Sequence, residues 1–122
     1  METWQVDFEW LHVQHIVQKT MGKKEAPDLQ GVLFLIGIQE LGLIQQKFSK
    51  EEKQDLIHIA VCKLLSYDGY YVFKGRDEDG WPHYDLARPI VLKQEDQDDL
   101  LKRKVIEYFK DLEKENGGFS NI

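Results

Sequence analysis

The stretch DLQGVLFLIGIQELGLI, from Asp28 to Ile44, decides the fold of this chain. On a helical projection its apolar side chains fall on every side rather than in one stripe, and a helix that is apolar all round has to be buried by its neighbours. Residues 32–36 alone could also form a buried strand, but the apolar stretch covers about sixteen residues, which favours a helix. We therefore predict a central helix here, with Leu35 and Ile36 in the core.

Length and composition limit the class of protein. A chain of 122 residues fits a single globular domain, residues 1–122, with one hydrophobic core. Gly37, Gln39 and Glu40 interrupt the longest apolar run, so we expect no membrane partner and no membrane-spanning helix. The first residues lack the pattern of a secretory signal, and the one cysteine allows no internal disulfide. We therefore expect a cytoplasmic protein.

The charge of the chain bears on nucleic-acid binding. A net charge of -6 opposes contact with a phosphate backbone. Helices followed by a two-stranded wing would match the arrangement of winged-helix DNA-binding proteins. However, the third predicted helix opens with KEEKQD and the wing tip is RDEDG, so both surfaces that would face DNA are acidic. We expect no nucleic-acid partner.

Before the central stretch, the sequence is ambiguous between strand and helix. Apolar residues alternate between Thr3 and Trp10, which is typical of a strand. Asp7 is also a suitable N-cap, and Gly22 is a suitable helix end. We predict a helix from about Phe8 to Met21.

After the central stretch, two further helices are predicted. Ser49 followed by Glu52 is a capping box, so the third helix begins near Lys50, and the turn dipeptide at residues 68–69 ends it. The last helix begins in the acidic run 95–99, which suits the positive end of a helix dipole. Its apolar stripe consists of Leu101, Val105, Tyr108, Phe109 and Leu112.

Between these two helices, aromatic and β-branched residues flank Asp79-Gly80, a strong hairpin signal. A two-residue loop there sets the following pairs: Glu78 with Trp81, Arg76 with His83, Lys74 with Asp85, Phe73 with Leu86, and Gly75 with Tyr84. The chain is therefore predicted to have an α+β fold that is mainly helical. About four helices pack around the central apolar helix, and one β-hairpin, at about residues 70–89, lies between the third and fourth helices.

Several side chains have the chemistry of metal ligands. The pairs Glu9-x-x-His12 and Asp55-x-x-His58, together with Glu40 and Glu107, match the ligand inventory of a four-helix di-metal site. The projection turns Asp55 and His58 away from the apolar face of the third helix, whereas such ligands point inward. His12 with His15, or His58 with Cys62, supplies two ligands where zinc needs three or four. We expect no metal and no cofactor.

Catalytic signatures were not found either. The chain has no phosphate-binding glycine loop, nucleophile elbow or paired-cysteine motif. Residues 77–80 resemble part of a calcium loop, but Gly75 and Leu86 would stand where acidic ligands are needed. We expect a non-enzymatic protein.

The hairpin carries the functional hypothesis. Two strands alone are marginal in water, so they must pack on something, and we expect Phe73, Tyr84 and Leu86 to face the helices. The hypothesis is a protein-interaction module that binds a protein partner, or a second copy of the chain as a homodimer, through side-chain types that dominate interfaces. The proposed binding residues are Arg76, Trp81, His83 and Tyr84.

Two alternatives remain open at this point. Trp81 can instead fold back over the third helix and complete the core. The chain can also be a metal- or small-molecule-binding helical protein that uses Glu9, His12 and His15.

Overall fold

A computed structural model describes residues 3–43 and 47–116. In this part of the chain the elements are α1 (Thr3–Met21), α2 (Leu29–Leu41), α3 (Lys50–Ser66), β1 (Tyr71–Arg76), β2 (Pro82–Leu86) and α4 (Gln94–Asn116). The prediction of a mainly helical α+β fold with a hairpin between the third and fourth helices is confirmed. Within the same residues, no helix is both long enough and apolar enough to cross a membrane.

Contacts divide the chain into two compact units. Among the described residues, the first comprises residues 3–32 and 93–116, and the second comprises residues 33–43 and 47–92. The single domain over residues 1–122 stays a prediction.

Helix α1, in the first unit, begins earlier than predicted. It starts at Thr3 rather than near Phe8, and Asp7 lies inside it. The apparent alternation arises because two helical faces interleave: Val6 and Trp10 are buried, whereas Trp4 and Phe8 are exposed. Helix α1 ends at Met21, as predicted. Gly22 adopts φ 65°, and the Lys23 N–H donates to the Gln18 carbonyl (3.0 Å). The helix therefore ends in a Schellman motif.

Helix α4 contributes the other apolar face of this unit. The predicted stripe is confirmed, because Leu101, Val105, Tyr108 and Phe109 are buried and Leu112 is partly buried. Ion contacts at the edges join α4 to α1. Lys110 Nζ lies 3.8 Å from a carboxylate oxygen of Glu9, and Lys102 Nζ lies 5.5 Å from the centre of the Trp10 ring.

Helix α2 forms as predicted but is shorter. It ends at Leu41, where Gly42 adopts φ 69° and donates its N–H to the Ile38 carbonyl (3.1 Å), an αL cap. Ile44 lies outside the described residues. Leu35 and Ile36 are 4% and 0% exposed, so their predicted burial is confirmed.

Helix α3 begins with the predicted capping box. The Glu52 N–H donates to Ser49 Oγ (3.1 Å), and the Ser49 N–H donates to Glu52 Oε1 (2.8 Å). Within the second unit, α3 crosses α2 at Gly37, where a Cβ atom would overlap the backbone carbonyl of Leu56. A residue without a side chain is therefore needed for this close approach of two helices.

The hairpin has a different register from the predicted one. The observed pairs are Tyr71 with Leu86, Val72 with Asp85, Phe73 with Tyr84, Gly75 with His83, and Arg76 with Pro82. The loop has three residues, not two, because Gly80 N–H donates to the Asp77 carbonyl and Asp77 N–H donates to the Trp81 carbonyl (both 3.0 Å). With Gly80 at φ 86°, this is a type I turn closed by a left-handed glycine. A further irregularity between Phe73 and Gly75 shifts the pairing again.

The expected burial of the hairpin is only partly correct. Tyr84 packs against the core of the second unit, as predicted. Phe73 and Leu86 do not, since they are 52% and 58% exposed. Trp81 was expected to be exposed, but it packs against Leu41, Leu56 and Ile59, together with Tyr84. The alternative in which Trp81 covers the third helix is therefore the observed packing.

Candidate functional site

The second unit contains a groove between α3 and the hairpin, with a cavity volume of about 510 Å³. One wall consists of α3 side chains and the other of residues from the hairpin loop and β2. We call it the α3–hairpin groove and build it from its two walls. Of the proposed binding residues, it brings together Trp81, His83 and Tyr84 and leaves out Arg76.

The helical wall follows from spacing along α3. Glu52, Asp55, Ile59 and Cys62 line the groove, and steps of three or four residues place them on one face of a helix. Glu52 belongs to the capping box, and its hydrogen bond from the Ser49 N–H fixes the position of its carboxylate. His58 lies beside this row and also lines the groove.

The opposite wall is shaped by the carboxylate of Asp77. One oxygen, Oδ1, accepts the backbone N–H groups of Asp79 (2.9 Å) and Trp81 (3.0 Å), while Oδ2 lies 2.9 Å from Nε2 of His83. An ionised carboxylate only accepts hydrogen bonds, so this imidazole nitrogen carries the proton. The His83 hydrogen bond, followed by that from the Trp81 N–H, lowers the pKa of Asp77.

Trp81 and Tyr84 connect this wall to the core. Both side chains are partly buried and pack against the cluster of Leu41, Leu56 and Ile59. Burial raises the pKa of the Tyr84 phenol to about 12, and the nearby charge of Glu40 contributes. The phenol is therefore neutral at physiological pH and offers an O–H donor.

Arg76 fastens the hairpin to the end of α2. Its guanidinium donates to the carbonyls of Leu41 (2.8 Å), Glu40 (2.7 Å) and Gly80 (2.7 Å). A cation at this position complements the negative end of the helix dipole. These three hydrogen bonds tie the hairpin to the C-terminal end of α2.

Cys62 does not have the environment of a reactive thiol. Its Sγ atom lies 3.4 Å from Nε2 of His58, but the side chain is only 2% exposed. Desolvation raises the pKa of the thiol to about 11, so it is protonated at neutral pH and a poor nucleophile. This agrees with the interpretation of Cys62 as a small apolar residue.

Charge is the dominant chemical property of the groove. Among the described residues that line it, there are four carboxylates and no lysine or arginine; the carboxylates belong to Glu52, Asp55, Asp77 and Asp79. A cleft lined by charges of one sign attracts groups of the opposite charge. The arrangement suits a cation that also presents apolar surface to Trp81.

The alternative site in α1 is only partly assembled. Glu9 and His12 line a cavity of about 390 Å³ in the first unit, next to Lys110, but His15 does not. Glu9 already pairs with Lys110. Across residues 3–43 and 47–116, no group of three or more His, Cys, Asp or Glu side chains is arranged to hold a metal ion. The absence of a metal remains a prediction.

The α3 wall was not predicted from the sequence as part of the site. Glu52 was interpreted only as a capping residue, and Asp55 only as a metal ligand pointing away from the core. The signal was the row Glu52, Asp55, Ile59 and Cys62, which repeats at helical spacing beside the buried face. Asp77 was also missed, although an aspartate that begins a turn often accepts N–H groups two residues on.

Comparison of the chain with protein families, with curated proteins and with solved structures finds no match.

Proposed function

We propose that this chain is a non-enzymatic interaction module whose α3–hairpin groove holds a segment of a partner protein bearing lysine or arginine. The observation that carries the proposal is the set of four carboxylates that line the groove beside Trp81 and Tyr84. An arginine or lysine places a charged head near carboxylates and its apolar stem along an aromatic ring. The groove thus matches both parts of such a side chain.

The environment of the groove supports binding rather than catalysis. Its thiol is protonated, its phenol is neutral, and Asp77 is committed to the loop and to His83. The carboxylates also disfavour a nucleic-acid occupant, because phosphates would meet like charge. A reducing compartment such as the cytoplasm fits a chain with one unpaired cysteine.

The proposal is tested by titrating a short lysine- and arginine-containing peptide into the protein by calorimetry. The test variant, Asp55→Asn with Asp79→Asn, neutralises one carboxylate on each wall. The matched control, Asp99→Asn with Asp111→Asn, changes the net charge equally at exposed positions of α4. Partly solvated charge pairs contribute about 0.2–1 kcal/mol each, so loss of two should weaken binding by the test variant about two- to thirtyfold.

The control should bind the peptide as the native protein does. Equal weakening in both variants would mean that only the overall charge of −6 attracts the peptide. Equal binding of an acidic peptide would also contradict the proposal.

The metal alternative is distinguished by elemental analysis of the purified protein. We expect no stoichiometric transition metal. About one ion per chain that is lost in His12→Ala would favour the site at Glu9 and His12 instead.

A further inference from the structure

Helix α1 carries an exposed apolar stripe whose residues do not line the α3–hairpin groove. Trp4, Phe8 and Leu11 are 68%, 67% and 64% exposed, and their spacing of four and then three residues places them in one row along the helix. His15 continues the row one turn further and is also exposed. The row follows the a/d spacing by which helices pair.

The size of the stripe is large for an exposed surface. Aromatic side chains have about 150–250 Å² of surface each, so the stripe exposes roughly 400 Å² of apolar area, within the range of patches that are often functional. Two stripes together bury roughly 800 Å², and flanking residues bring the total towards the roughly 1,200 Å² of small specific interfaces.

The stripe is also complementary to itself. In an antiparallel pairing of two α1 helices, Phe8 of each chain faces Leu11 of the other, and Trp4 faces His15. Each contact occurs twice, as a two-fold interface requires. The stripe contains no carboxylate, lysine or arginine, so two chains of net charge −6 can meet here without opposing like charges.

The flanking positions agree with this pairing. The same register sets Asp7 beside Gln14 of the second copy and Gln5 beside His12. No two side chains of the same charge face each other, so the rim does not oppose association.

We propose that a second copy of this chain covers the stripe, through antiparallel pairing of the two α1 helices around Phe8 and Leu11. A surface of this size lies at the low end of specific interfaces, where weak and transient pairs are found. The surface belongs to the first unit and is separate from the α3–hairpin groove, so the two proposals stand or fall independently.

Sedimentation equilibrium over a range of protein concentrations tests the pairing. Phe8→Glu should weaken dimerisation at least about tenfold, because a charge is buried at the interface. The matched control is Phe73→Glu, which adds the same charge at an exposed aromatic of the hairpin and should leave dimerisation unchanged. Circular dichroism verifies that each variant keeps its helical content.

Mixing two variants tests the antiparallel register. Phe8→Glu and Leu11→Lys should each dimerise poorly alone but associate when mixed, because only antiparallel helices bring the new carboxylate beside the new ammonium group. A native protein that stays monomeric at about millimolar concentration would overturn the proposal. So would equal loss in Phe8→Glu and Phe73→Glu, or a mixture that does not associate.

Discussion

Replacing Trp81 with alanine tests how the hairpin is held to the second unit. The indole packs against Leu41, Leu56 and Ile59 while part of it stays open to the groove. Complete removal of a buried tryptophan costs about 3–5 kcal/mol. Because this side chain is only partly buried, we expect Trp81→Ala to lower the free energy of unfolding by about 2 kcal/mol.

The assay is urea unfolding followed by circular dichroism, with His83→Ala as the control. His83 lies two residues further along the chain, in β2, and is exposed, so its removal should change the unfolding midpoint little. An unchanged midpoint in Trp81→Ala would refute the packing of the hairpin on α3. It would also remove the aromatic wall from the proposed binding groove.

Three further predictions concern the supports of the groove. Gly37→Ala should destabilise the protein by about 2 kcal/mol or more, measured by urea unfolding, because the new methyl group meets the Leu56 carbonyl; an unchanged midpoint would contradict the close crossing of α2 and α3. Ser49→Ala should cost about 1 kcal/mol in the same assay through loss of the capping box, and amide exchange at the start of α3 should rise with it. The pKa of Asp77 lies below its ordinary value of 3.8, so its ionised form stabilises the fold above that pH and the contribution is lost as pH falls through the lowered pKa. Thermal unfolding below about pH 4 should therefore show a weaker pH dependence in Asp77→Asn than in the native protein, and identical profiles would argue against the Asp77 contacts.

Signals that act within a few residues predicted much of the fold. The capping box placed the start of α3 because its two hydrogen bonds involve only Ser49 and Glu52. The glycine at position 22 likewise placed the end of α1. Such interactions need no knowledge of the rest of the chain.

The predicted hairpin register was wrong because it was based on two residues alone. Asp79-Gly80 suggested a two-residue loop, but Asp77 accepts two backbone N–H groups and draws Asp79 and Trp81 into a wider turn. One extra loop residue shifts every pair, and a one-residue shift exchanges the faces of a strand. The predicted ion contact survived nonetheless, since Lys74 Nζ lies 3.2 Å from Asp85 Oδ2.

Only the hairpin side of the candidate site was predicted from the sequence. The hairpin residues Trp81, His83 and Tyr84 drew attention by their type, and they line the groove. The acidic wall on α3 was not predicted. Asp55 lies on an exposed helix face, and it can be recognised as a groove residue only once the hairpin is known to pack opposite α3. Which side chains meet across two elements is set by tertiary packing, which periodicity does not specify.

A nitrogen–proton NMR titration of the native protein with the lysine- and arginine-containing peptide tests most directly whether the α3–hairpin groove binds it. If the α3–hairpin groove is the binding site, amide shifts should change along residues 52–62 and 77–84, and the side-chain N–H of Trp81 should move with them. The side-chain N–H of Trp4, on the stripe of α1, should stay in place. Shift changes spread over the acidic surface, or centred on α1 and α4 with the groove unchanged, would contradict peptide binding in the groove.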